Sequence, residues 1–108
     1  MLIDTLEVKD SHGYKYVFGL FSKDTQFDDV SAIYIFVKQQ KGEYFPLYIG
    51  QSTELGTRLS NHEKKTELAR AGFTHYLVRE FDESELDEKE KSFIQQYTPK
   101  FNTQHNTL

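Results

Sequence analysis

Ser31-Ala32-Ile33-Tyr34-Ile35-Phe36-Val37-Lys38 and Tyr44-Phe45-Pro46-Leu47-Tyr48-Ile49-Gly50 decide the reading of this chain. The first run is rich in β-branched and aromatic residues, which fit a pleated, half-buried surface. Alternation puts Ile33, Ile35 and Val37 on one face and Ala32, Tyr34 and Phe36 on the other. Residues 39–43, with Gly42 among them, read as a hairpin loop. The second run returns as the partner strand, with Leu47 and Ile49 on one face and Tyr48 and Gly50 opposite. If the aliphatic residues face the core, Tyr34 and Tyr48 should emerge together on the reverse face.

On the C-terminal side a helix follows, with Ser52 or Thr53 as its expected N-cap. Leu55, Leu59 and His62 keep helical spacing, and Arg58 and His62, four apart, should stack along it. A second helical stretch over 64–71 stops at Gly72, a suitable residue just past a helix end. Residues 73–81 alternate as a third strand. The last helix is predicted from Ser84, with Asp87 in a capping-box position, to about Tyr97, because Pro99 disfavours helix at Thr98. Its apolar stripe is Leu86, Phe93, Ile94 and Tyr97, and Glu90 lies within it. A carboxylate on an inward face is expensive to desolvate without a cation, donor or metal. On the N-terminal side, residues 6–21 read as a hairpin turning at Asp10-Ser11-His12-Gly13, and residues 22–30 as a polar loop. The expected architecture is therefore α+β: a three-stranded antiparallel sheet flanked by helices, in the order strand-strand-helix-strand-helix, preceded by an N-terminal β-hairpin. The expected divisions are 1–30 for the hairpin and loop, 31–102 for the main unit and 103–108 for a flexible tail.

The chain has 108 residues, no cysteine and a net charge of −4. One domain is expected at this length. The lack of cysteine excludes a disulfide framework and a cysteine-rich zinc site. No apolar run approaches a bilayer span and the start lacks the pattern of a secretory signal, so a cytoplasmic protein without membrane contact is expected. The acidic balance argues against tight, non-specific nucleic-acid binding. Charge is uneven, however: residues 31–80 carry seven bases against five acids and form the one net-basic segment. That distribution is compatible with a local anionic ligand, and ordinary scatter of surface charge accounts for it at least as well.

Two phenols, a guanidinium, an imidazole and a carboxylate make a set suited to phosphodiester hydrolysis. Ala32-Ile33-Tyr34, then Tyr48-Ile49-Gly50, then Arg58 eight residues on, Glu90, and Pro99-Lys100-Phe101-Asn102 resemble the GIY-YIG nuclease family in order and spacing. The one departure is Ala32, where the family usually has glycine; alanine fails there only if a positive φ or close backbone approach is required. The resemblance implies an endonuclease cutting nucleic-acid phosphodiesters, DNA in the first instance, with Mg2+ or Mn2+. It implies Glu90 as the metal ligand, Tyr34 as a group that helps deprotonate water, Tyr48 as an orienting hydroxyl and Arg58 as the phosphate holder. His62 would donate to phosphate or hold Tyr34. Around the substrate, Gly50 and Gln51 would lead the backbone into a helix N-terminus that favours phosphate, Lys64 and Lys65 would touch the nucleic-acid backbone, and Asn102 would shape the site. The contrary reading is a catalytically silent domain that binds nucleic acid or a protein through the same face.

Overall fold

In the computed structural model, which describes residues 2–103, a single antiparallel sheet of five strands runs in the order β1-β2-β5-β3-β4. The strands are β1 (Leu2–Lys9), β2 (Lys15–Ser22), β3 (Ala32–Gln40), β4 (Glu43–Ser52) and β5 (His75–Glu80). The helices are α1 (Leu55–Ser60), α2 (Lys65–Arg70), α3 (Leu86–Tyr97) and α4 (Lys100–Thr103), with a 3-10 turn at Glu83–Glu85. The α+β class holds, but the expected three-stranded sheet is wrong in extent. The N-terminal hairpin does not merely precede the sheet. Its strand β2 pairs with β5 from Gly19 opposite Val78 to Ser22 opposite His75, so the hairpin completes it. The physical reason is the free side of β5, whose backbone groups need partners once the strand is buried.

Both faces of the sheet are covered. On one, Ile33, Ile35, Val37, Ile49 and Leu77 pack with Phe18, Leu20, Phe81 and, from α3, Leu86 and Phe93. On the other, Ala32, Tyr34, Phe36, Tyr76 and Val78 pack with Leu55 and Leu59 of α1, Leu68 of α2 and Phe101 of α4. Tyr34 and Tyr48 do share the reverse face, opposite Ile33, Ile35, Val37 and Ile49, but that face is a second core, and Tyr34 is only 1% exposed. The pairing of β3 with β4 slips after Phe36–Tyr48, so that Val37 faces Pro46 and Leu47 is the bulged residue. The bulge breaks the expected alternation. Leu47 packs on the same side as Tyr48, away from Ile49. The β3–β4 turn is also tighter than expected, using only Lys41 and Gly42, both with positive φ, as a two-residue hairpin demands.

Two expected caps are absent. Helix α1 starts from Glu54 with no side-chain cap, and Ser52 Oγ instead accepts from the Glu54 N–H. The first N–H groups of α1 are taken by the preceding loop: Leu55 donates to Val30 O, Gly56 to Asp28 O and Thr57 to the Asp29 carboxylate. The fit is tight, since a Cβ on Gly56 would run into Phe27 O. No side chain caps α3 either; its entry is the 3-10 turn rather than a Ser84 capping box. Helix α3 ends at Thr98, a left-handed residue (φ 39°) whose N–H donates to Ile94 O. The hairpin turn docks on α3 through Ser11, whose N–H donates to Ser92 Oγ, and through Lys9 N–H on Tyr97 Oη. The tail expected from residue 103 lies, beyond Thr103, outside the described residues.

Candidate active site

Tyr34 is the third residue of β3 and lies opposite Gly50 of β4. Its ring crosses the strand so closely that a Cβ on Gly50 would overlap Tyr34 Cζ and Oη. Glycine at 50 therefore makes room for a phenol. The helix N-terminus it was expected to lead into is no phosphate site, because its donors are already taken by residues 28–30.

Tyr34 Oη lies 3.0 Å from His62 Nε2. The other ring nitrogen, Nδ1, accepts the Lys64 backbone N–H at 3.1 Å. A backbone N–H can only donate, so Nδ1 carries a lone pair and the neutral ring is protonated on Nε2. His62 thus donates to Tyr34. Burial, aided by the Arg58 charge, pushes its pKa down to about 4, so the ring stays neutral near pH 7. The residue is not stacked over Arg58 on one helix: α1 ends at Ser60, and His62 follows in the turn. Its ring lies edge-on to Tyr48, with centroids 5.2 Å apart, and the Tyr34 and Tyr48 centroids are 6.4 Å apart.

Arg58 stands in the last turn of α1. It holds the Glu63 carboxylate through both terminal nitrogens, Nη1 to Oε2 at 2.6 Å and Nη2 to Oε1 at 3.0 Å. Burial raises the pKa of both phenols, and the Arg58 charge opposes the rise in each. Lys64 is mostly buried, with its ammonium 5.9 Å from the Tyr48 ring centroid, and Lys65 Nζ donates to Leu59 O.

Glu90 reaches the same end of the sheet from α3. Its Oε1 accepts from Gln51 Nε2 at 2.9 Å, and the same amide nitrogen donates to Asp87 Oδ1 at 2.7 Å. Gln51, next to Gly50, therefore links β4 to α3. Glu90 is half-buried, and its carboxyl is pushed up, chiefly by that burial and further by the Asp87 charge, against the Gln51 hydrogen bond. Its negative charge in turn raises both tyrosines. Asn102 lies at the outer edge of β4, where its amide accepts the Ile49 N–H and donates to Ile49 O, both at 2.8 Å.

A sequence model of the family described as GIY-YIG catalytic domain matches residues 30–104. The chain belongs to the GIY-YIG family. No curated protein and no solved structure matches it. The GIY-YIG match leaves out β1 and β2, although they complete the same sheet. Ala32, the departure from the usual first motif, has no positive φ and is fully buried in the second core, so a methyl group is accommodated.

Members of a GIY-YIG nuclease family are expected to use a divalent ion, and the residues here fit a hydrated hard cation. The half-buried Glu90 is shifted by its burial, by Gln51 and by Asp87, and no cation figures among these influences. Its oxygen donors suit Mg2+ or Mn2+. No group of three or more His, Cys, Asp or Glu side chains that could hold a metal gathers among the described residues.

Sequence reasoning missed two neighbours of the site. Asp87, three residues before Glu90 on α3, shares Gln51 with it; the helical spacing was a usable signal. Asp29, which occupies the start of α1 from 28 positions away, left no such signal.

Proposed function

We propose that this chain is a divalent-metal-dependent endonuclease that hydrolyses nucleic-acid phosphodiester bonds, DNA in the first instance, giving a 5′-phosphate and a 3′-hydroxyl. The observation that carries the reading is convergence. Tyr34, Tyr48 and His62 cluster, with the phenol centroids 6.4 Å apart and His62 Nε2 3.0 Å from Tyr34 Oη, and the Arg58 and Glu90 charges, from different elements, both bear on this cluster.

In this reading Arg58 holds the scissile phosphate and stabilises the added negative charge of the pentavalent transition state. Tyr48, half-buried beside it, orients the attacking water or a phosphate oxygen through its hydroxyl. Tyr34 takes the water's proton. Burial holds its pKa above that of an ordinary phenol, so at neutral pH the base form is a small fraction, and a strong base when present. His62 Nε2–H fixes the Tyr34 oxygen and stabilises its phenolate without competing for the proton. Glu90 would hold the divalent ion, which when bound supplies positive charge to the phosphate and the leaving oxygen. Gln51 orients the Glu90 carboxylate, and Asn102 keeps the β4 edge in place. Lys64 and Lys65 add positive charge beside the phosphate position.

The test is nicking of a plasmid in Mg2+ by purified protein. Glu90→Ala, Arg58→Ala and Tyr34→Phe are each expected to slow turnover by about 100-fold or more, as loss of a preorganised charge or base does. Undiminished cleavage by Glu90→Ala would overturn the metal assignment. Absence of any cut strand with the unaltered chain, across substrates and metals, would leave a binding domain instead.

A further inference from the structure

Arg58 already grips an anion. Its two terminal nitrogens meet the two Glu63 oxygens end-on, at 2.6 and 3.0 Å. The contact is local: α1 stops at Ser60, and the turn that follows swings Glu63 back over the last helical turn. Both partners look outward, with the guanidinium side chain 33% exposed and the carboxylate 63%. Nucleic acid would arrive from that side. A phosphodiester and a carboxylate are both monoanions that offer two oxygens to the same planar fork of donors, so they compete for it.

From this geometry we infer that Glu63 is a resident competitor for the phosphate-binding fork of Arg58, which the scissile phosphodiester must displace to be held. The inference rests on the nuclease reading and names what limits substrate affinity in it. A lone phosphate offers little advantage over the tethered carboxylate. A substrate that also meets the rest of the site does, so Glu63 filters out weak anions. Arg58 keeps the Glu63 carboxyl down to about 2, so the competitor stays charged near neutral pH. An ion pair this exposed is worth only a few-fold in an equilibrium constant, which fits a threshold rather than a block.

Steady-state cleavage of a labelled oligonucleotide duplex in Mg2+ is compared for the unaltered chain and Glu63→Gln, together with binding of the same duplex in EDTA by fluorescence anisotropy. The expected result for Glu63→Gln is a KM and a dissociation constant lowered about three- to ten-fold, with kcat within two-fold. In an Arg58→Ala background the same change should move binding by less than about two-fold, because the contested fork is gone. An unchanged or raised KM, or a kcat that falls at constant KM, would overturn the inference while leaving the nuclease reading intact. Neither cleavage nor binding by either protein would end both.

Discussion

His62 shows how one backbone contact sets the chemistry of a side chain. The Lys64 N–H at Nδ1 leaves Nε2 as the only proton carrier, and that proton goes to Tyr34. The arrangement needs a neutral ring, and burial holds the folded pKa at about 4 against the ordinary 6.5. Between these values the unfolded chain binds a proton that the folded chain refuses. The stabilisation is complete above about pH 6.5 and is lost as pH falls toward 4, by an amount on the order of 2 kcal/mol. Glu90, whose carboxyl is raised, acts in the opposite sense as pH falls. The slope is therefore read as a difference: urea unfolding at pH 7 and pH 4.5 should show a smaller loss in His62→Gln than in the unaltered chain. Equal losses would mean that the ring is already protonated in the fold.

At the scale of elements, the site depends on ends and edges. Six residues are too few for a helix to persist alone, and α1 stands because Leu55 and Leu59 enter the second core and residues 28–30 satisfy its first donors. Its early stop places Arg58 in the last turn, with His62 and Glu63 just beyond. Strand β4 has a free edge, and Asn102 closes part of it by copying the backbone pattern of a neighbouring strand at Ile49. Asn102→Ala removes both bonds beside the position where Gly50 admits Tyr34. A loss of about 1–3 kcal/mol in urea unfolding is expected, with cleavage reduced as the edge loosens. A change below about 0.5 kcal/mol would show that water serves Ile49 equally well.

Across the whole molecule, the segment outside the family match is bound into the fold. Phe18 and Leu20 of β2 are almost completely buried, and the ring of Phe18 meets Phe93 of α3 edge-on at 5.4 Å. Burial of two such side chains contributes about 3–6 kcal/mol, comparable to the net stability of a domain of this size. We propose that residues 1–30 and 31–102 form one cooperative unit. A chain of residues 23–108 should lose its cooperative thermal transition and its dispersed amide NMR spectrum. A cooperative melt by that fragment would make the hairpin an appendage.

The sequence alone was enough for the strand pairing of Tyr34 with the Tyr48–Gly50 segment, for α3 and for the inward slot of Glu90, because each is written in spacing of 2.0 or 3.6 residues. The family also follows from residues spaced along the chain. Several features were invisible at that level: the burial of Tyr34, the bulge at Leu47, the loop seated on α1, the pairing of Arg58 with Glu63 and the joining of β2 to β5. Periodicity reports which residues share a face, and it is silent on what covers that face. A second layer, an edge partner or a competing anion is supplied by segments distant in sequence or by a turn, and only the folded chain brings them to the site.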